Sequence, residues 1–413
     1  MPHGIGPLVT VAAMTVTVVG IGADGWDGLA PKARAALERA DLVVGSPRQL
    51  GLLPPSIGAE QRELPSPLRA GLGSWADDLS SRAAVVLASG DPFLSGIGST
   101  LLDVLGPEAI EDVQPAVSSV TLARAAMRWS AESTSWVSLV GRDAYRLLRH
   151  LEPGARLLVL VSDTTTATHV AAILTAAGFG ESRITALSDL GSADESRRDA
   201  FARMWHGKTP PLTVLAIECD GPGPWWSRTA GLDDDAFEND GQLTKRDVRA
   251  SALARLAPRA GELLWDVGAG AGSVAIEWLR AHPRNRAIAI ERHPDRAARI
   301  RRNAERLGVP ELEIVEGTAP EVLDGLARPD AVFVGGGATR EGVLDAAWEA
   351  LVPSGRFVAH GVTLETEALL ASWHGRHEDG ELTRISIEHA EPIGGFTGWT
   401  PARAVTQWSA TKR

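Results

Sequence analysis

Three glycines, Gly268, Gly270 and Gly272, stand in the run ELLWDVGAGAG, after an apolar stretch and directly before SVAIEWLRAH. Glycine lets backbone turn tightly and approach a ligand with no Cβ in the way. Ala269 and Ala271 fill the positions between. Asp266 lies two residues before the first glycine, and Glu291 ends the next apolar run. A carboxylate in that second place accepts hydrogen bonds from both hydroxyls of a ribose. The chemistry on offer is therefore the holding of an adenosine-bearing cofactor. A dinucleotide asks for Gly-x-Gly-x-x-Gly, so that pyrophosphate meets a helix N-terminus. Here the third glycine comes one residue early and Ser273 follows. S-adenosylmethionine carries no phosphate, and its ammonium and sulfonium suit an acid such as Asp266. The loop favours this methyl donor over a dinucleotide; a loop that binds nothing is the plain alternative. In EGTAP (316–320), Gly317 and Ala319 are small enough to admit an adenine ring, or they mark a simple turn.

A second glycine set lies in VVGIGADG, where Gly20, Gly22 and Gly25 match Gly-x-Gly-x-x-Gly. Asp41 precedes the next strand-like run instead of ending it, so the fingerprint lacks its ribose acid. LASGDPFLSGIG puts Gly90 and Asp91 at a strand end, and PAVSS puts Ser118 and Ser119 before a helix. A turn and an N-cap are the plain readings of these. His360 ends RFVAHG, as a proton-transfer group or a structural histidine. His374 and His377 have no third ligand nearby, so no metal is expected. No catalytic triad or dyad stands out. Methyl transfer to an electron-rich carbon needs alignment of the reacting atoms more than a strong base.

The elements that position these residues follow from the apolar pattern. Strands are predicted within 15–22, 42–45, 83–92, 136–141, 157–162 and 212–219, with helices over 28–40 and 165–180. Short β-branched runs separated by helices predict parallel strands joined by crossovers. The second half predicts helices over 244–257, 273–282 and 294–308, and strands within 262–272, 287–292, 312–317, 330–337 and 356–362. Between the halves, 220–243 is rich in Gly, Pro and Asp and reads as a linker or ordered loop. The predicted organisation is an extension (1–14), a first α/β unit (15–219), the linker (220–243) and a second α/β unit (244–413).

The composition agrees with two folded units. The 413 residues exceed one ordinary domain, and 44% hydrophobic with 23% charged excludes a disordered chain. Lys+Arg at 41 against Asp+Glu at 52 leaves a net charge of −11. That balance argues against a nucleic-acid partner. The single cysteine, Cys219, excludes an internal disulfide and fits a cytoplasmic address. No run reaches the roughly 18–20 apolar residues of a membrane helix, and the start lacks a basic signal region.

Two resemblances add to this reading. The segment LTKRDVRASALARLAPRAGELLWDVGAGAGSVAIEW (243–278), with RNAERLG, EGTAP and FVGGG, resembles the C15-methylating, decarboxylating enzymes of corrin biosynthesis. That resemblance places donor contacts on Thr244, on Gly268 to Gly272, on Glu291 and on Ala319. VVGIG, LASGDP, PAVSS and VGR (140–142) resemble the tetrapyrrole methylase family, in its branch that methylates carbon 5 of a precorrin. It implies a donor cleft between two α/β lobes, near Gly90, Asp91, Ser118 and Ser119. Val140 stands where that family leads one to expect histidine.

Together the resemblances imply a two-lobed tetrapyrrole methylase fold followed by a Rossmann-like S-adenosylmethionine-dependent methyltransferase domain. Each domain would take one S-adenosylmethionine. The implied activity is methylation of precorrin-6Y at carbons 5 and 15, with decarboxylation of an acetate side chain, giving precorrin-8. The implied assembly is a homo-oligomer, with no membrane or nucleic-acid partner. The substrate would be a tetrapyrrole polycarboxylate, so an acidic chain must concentrate cations locally. Lys245, Arg246, Arg249 and Arg340 are the candidates, each otherwise a solvated helix charge. The alternatives are an S-adenosylmethionine-dependent RNA methyltransferase, an NAD-dependent oxidoreductase using VVGIGADG, and a non-catalytic donor sensor.

Overall fold

The computed structural model describes residues 16–161, 163–377 and 379–413, so the expected extension 1–14 lies outside the described residues. The chain forms two units that do not divide at one point in sequence. The first takes the residues to Arg142 together with Gly154–Pro222; the second takes Asp143–Pro153 and Gly223–Arg413. The apolar pattern alone places 143–153 in the first half and makes 220–243 a linker or ordered loop; the structure gives 143–153, and the chain from Gly223 on, to the second unit. In the structure Leu232, Ala236 and Phe237 are buried in the core of the second unit. Arg149, itself nearly buried, bonds Glu311 at 3.2 Å within that unit.

The first unit has two sheets. Its first sheet comprises β1 (Val16–Ile21), β2 (Leu42–Gly45), β3 (Glu60–Glu63), β4 (Ala84–Ser89) and β5 (Ile110–Gln114). They lie in the order β3-β2-β4-β1-β5, all parallel. Alternate residues point to opposite faces, and both faces are covered. Val16, Val18, Val44 and Val86 pack on one side; Val19, Ile21, Val43 and Leu87 pack on the other. Double burial explains why these strands read as unbroken apolar runs.

The second sheet comprises β6 (Thr134–Ser138), β7 (Arg156–Leu160), β8 (Arg183–Ser188), β9 (Ser196–Phe201) and β10 (Thr213–Glu218), ordered β6-β7-β10-β8-β9. Only β6 and β7 pair in parallel; β10 runs antiparallel to β7 and β8, and β8 to β9. This corrects the expectation of parallel strands throughout the first half. A strand buried on both faces has the same apolar pattern in either direction, so the pattern could not report it.

The second unit is built on a seven-stranded sheet. Its strands are β11 (Leu263–Val267), β12 (Arg286–Glu291), β13 (Glu313–Glu316), β14 (Ala331–Val334), β15 (Arg356–Gly361), β16 (Glu381–Ile385) and β19 (Val405–Thr411). A separate hairpin, β17 (Glu388–Ile393) and β18 (Phe396–Pro401), is inserted before β19. The order is β13-β12-β11-β14-β15-β19-β16, with β19 antiparallel to both neighbours and the first five strands parallel. The strand order reverses between β11 and β14. A crevice opens outside the carboxyl ends of the strands at such a reversal, where open α/β sheets bind ligands.

Candidate functional site

A cavity of about 1610 Å³ opens in the second unit along the carboxyl ends of β11, β12, β13, β14 and β15. That exceeds the roughly 300–1,000 Å³ of a pocket for one small ligand, so two molecules have room to meet. Gly268, Ala269 and Gly270 line it, as do Glu291, Gly317, Ala319 and Thr244. The structure thus brings these sequence-predicted residues together.

Their backbone is shaped by close contacts. Gly268 has φ +71°, and a Cβ there would stand 2.6 Å from the carbonyl oxygen of Gly336. Gly270 has φ +61°, and its Cβ would meet the Gln242 carbonyl oxygen at 2.7 Å. Only glycine fits either place. Glu291 is nearly buried, and its carboxylate ties the loop down. Oε2 accepts from the Gly270 amide at 2.9 Å and Oε1 from the His293 amide at 3.0 Å. Each oxygen keeps a lone pair for a ribose hydroxyl. Small residues, oriented amides and an anchored acid fit an adenosine.

Three predicted residues sit behind the loop and do not line the cavity. Ala271 is buried, and its carbonyl accepts from Asn303 Nδ2 at 3.0 Å. Gly272 admits Ile300, whose Cγ2 would lie 2.7 Å from a Cβ, so it serves helix packing. Asp266 is sealed beneath the loop, and its Oδ2 accepts from the Ala275 amide at 3.0 Å in the first turn of helix Ser273–Ala281. Burial, helped by the nearby Glu291 charge, pushes its carboxyl up to about 7. Its direct work is to pin that helix start.

The expected cations divide sharply. Lys245 and Arg246 line the cavity, but they pair with Asp234 at 3.4 Å and Asp233 at 3.0 Å. Arg340 pairs with Glu321 at 2.7 Å. Arg249 is a correction: it is fully buried and faces no ligand. Its Nε donates to Glu277 at 2.6 Å, its terminal nitrogens donate to the carbonyls of Thr244 and Leu232, and its guanidinium lies over Phe237. It clamps the segment that carries Thr244 against helix Ser273–Ala281. Arg292 and Arg403 were missed. Both line the cavity with exposed side chains, and among the described residues neither has a carboxylate partner. Gly335, Gly336 and Gly337 also line it, and the triple glycine in FVGGG was the available sign.

The chain matches two family models, Tetrapyrrole (Corrin/Porphyrin) Methylases over residues 15–202 and Precorrin methyltransferase domain over residues 235–412. A Sinorhizobium protein called precorrin-6Y C(5,15)-methyltransferase (decarboxylating) is 47% identical over 96% of this chain and 96% of its own. The chain belongs to that family. A Mycobacterium tuberculosis protein of the same name is 43% identical, over 96% of this chain and all of its own. A Pyrobaculum calidifontis protein, called a probable cobalt-precorrin-6B C(15)-methyltransferase (decarboxylating), is 36% identical over 44% of this chain and 95% of its own. As a member of the precorrin-6Y C(5,15)-methyltransferase family, the chain carries a tetrapyrrole methylase fold first and a Rossmann-like methyltransferase fold second.

In the first fold of this family member, the strand ends meet closely. A Cβ on Gly20 would stand 2.0 Å from the Gly90 carbonyl oxygen and 2.6 Å from the Ala116 nitrogen. Gly20 therefore packs against the protein's own backbone, where a side chain would not fit. Gly90 (φ +60°) lies against Val117 and Ser118, so Gly90, Asp91, Ser118 and Ser119 share one end of the sheet. Ser118 caps helix Ser119–Met127 by accepting from Thr121, and Asp91 accepts from Phe93 in a turn. Both plain readings hold for these two side chains. Ser119 is exposed at the helix start. Among the described residues, no three His, Cys, Asp or Glu side chains gather as metal ligands, and no helix is long and apolar enough to cross a membrane.

Proposed function

We propose that this chain methylates precorrin-6Y at carbons 5 and 15 with S-adenosylmethionine and releases one acetate carboxyl as carbon dioxide, giving precorrin-8. The first unit acts on carbon 5. The second acts on carbon 15 and on the carboxyl, and each unit takes one donor. The observation that carries this reading is the cavity of the second unit. It joins a glycine loop and an anchored acid to a long wall beyond them, at β15 and β19.

The donor supplies a methyl on a cationic sulfur. Gly268 and Gly270 offer close backbone, Glu291 accepts the ribose hydroxyls, and Ala319 leaves space for the adenine. Arg292 and Arg403 take carboxylates of the substrate, because the neighbouring cations are already neutralised by Asp233, Asp234 and Glu321. The chain works as a homo-oligomer in the cytoplasm. Ile393, Phe396 and Trp399, exposed on the β17–β18 hairpin, support the first point, and the lone cysteine fits the second.

Incubation of the full chain with precorrin-6Y and donor tests this by mass. The expected product has gained two methyl groups and lost one carbon dioxide. A product without added methyl groups refutes the reading. Carbon dioxide release that survives in a full chain whose second unit no longer binds donor refutes the division of labour.

A further inference from the structure

The far wall of the cavity holds a polar pair in the heart of the sheet. His360 on β15 and Gln407 on β19 are register partners, flanked along their strands by the apolar Ala359 and Trp408. His360 is 8% exposed and Gln407 is wholly buried. The exposed part of His360 is cavity surface, in a wall that Val362 and Val405, at the ends of the same two strands, continue.

The ring is held in one orientation. His360 Nε2 lies 2.9 Å from Gln407 Oε1. With the amide oxygen turned to the ring in this way, the matching tautomer carries its proton on Nε2 and leaves Nδ1 as the acceptor. Phe333 meets the ring edge-on, with centroids 4.9 Å apart. No group among the described residues bonds Nδ1. Gln407 Nε2 is buried without a partner, which destabilises the fold. The bond this amide makes goes to the buried imidazole, so its service is to satisfy and orient that ring.

We propose that His360 delivers the proton that replaces the departing carboxyl, and that Gln407 positions its ring for that transfer. This rests on the function proposed above. When an acetate side chain loses carbon dioxide, the bond from methylene to carboxyl breaks. Its electron pair stays on the methylene carbon, conjugated with the macrocycle, and carbon dioxide leaves neutral. One proton must then reach that carbon to complete a methyl group. Burial, with Arg255 adding to it, holds the free ring's pKa at about 4, so Nδ1 is empty before substrate arrives. A substrate carboxylate beside Nδ1 favours the imidazolium, which takes its proton from water. When that carboxylate departs, the imidazolium loses its counter-charge and Nδ1 passes the proton to carbon. Nε2 keeps its own proton on Gln407 throughout. The sum is one carboxylate and one proton in, one methyl and one carbon dioxide out.

The test uses the full chain with precorrin-6Y and donor, and follows methyl gain and carbon dioxide release separately. His360→Gln should slow carbon dioxide release by about 10²- to 10⁴-fold, with donor affinity within about threefold of wild type. Its product should accumulate with methyl groups added and the carboxyl retained. Release at the wild-type rate would overturn the proposal. Gln407→Glu still accepts from Nε2 and adds a charge, so the pH profile of release should move to higher pH. Gln407→Leu should lower the rate at every pH. Unmoved profiles in both would overturn the positioning role. A wild-type chain that adds methyl groups but releases no carbon dioxide would overturn the proposed function, and this inference with it.

Discussion

Replacing Glu291 by glutamine tests the donor site most directly. The carboxylate accepts two backbone amides, Gly270 on one oxygen and His293 on the other. A glutamine has one oxygen and one NH₂. In either orientation its NH₂ faces an N–H donor, so one charge-assisted bond is lost. Such a bond contributes about 1.5–3 kcal/mol. The unliganded second unit should therefore melt earlier, because the glycine loop loses an anchor. Donor binding needs that anchor and also loses an anionic acceptor for a ribose hydroxyl. A weakening of the same size corresponds to roughly 10- to 150-fold in affinity. Titration calorimetry of the full chain with S-adenosylhomocysteine should show two sites in the wild type. In Glu291→Gln one should weaken by that factor while the other stays unchanged. An isotherm identical to wild type would remove Glu291 from the donor site. Equal weakening at both sites would mean that the substitution acts through general destabilisation.

Three further outcomes follow from particular contacts. Gly268→Ala puts a Cβ at positive φ against the Gly336 carbonyl, so overpacking of about 1–3 kcal/mol should add to the backbone strain. Calorimetry should show a lower melting temperature and no donor binding in the second unit. Arg249→Met leaves Glu277 buried without its counter-ion, at a cost of about 3–5 kcal/mol. The denaturant midpoint of the second unit should fall, and adding Glu277→Gln should recover part of the loss. His360 has a folded pKa of about 4 against 6.5 when free, so the unfolded chain binds the extra proton. Its neutral form is fully favoured above pH 6.5, and stability is lost as pH falls from there towards 4. The full loss is about 3 kcal/mol. Urea unfolding at pH 7 and pH 4.5 should show a smaller difference in His360→Gln than in wild type.

The glycine loop and Glu291 were legible because strand, turn and helix follow one another within a few residues. The pattern could not say which way Asp266 would face. An acid two residues before the first glycine suits a cationic ligand or a helix amide equally, and burial beneath the loop decided for the amide. Arg249 looked like its neighbours Lys245 and Arg246, since its partner Glu277 lies on another helix, 28 positions away. The edge strands were silent for a different reason. β3 is EQRE and β17 is EHAEPI, and neither alternates apolar with polar because neither buries one clean face. The far wall of the cavity depends on β19, whose role appears only once it pairs with β15.

The stretch 143–153 has a consequence for how this protein can be made. Arg149 leaves the ribosome 162 positions ahead of the Glu311 that neutralises it. Its backbone also fills the space beside Gly308, where a Cβ would stand 2.3 Å from the Arg149 nitrogen. During synthesis this stretch must wait, tethered between β6 and β7, until most of the second unit has emerged. A gene cut in the Gly- and Pro-rich run after β10 would therefore yield unmatched halves. The upstream product would carry a charged strap with nothing to grip. The downstream product would carry Glu311 and the seat at Gly308 uncovered. Supplying 143–153 in trans, or grafting it ahead of residue 223, is the natural repair for anyone who needs the second half alone.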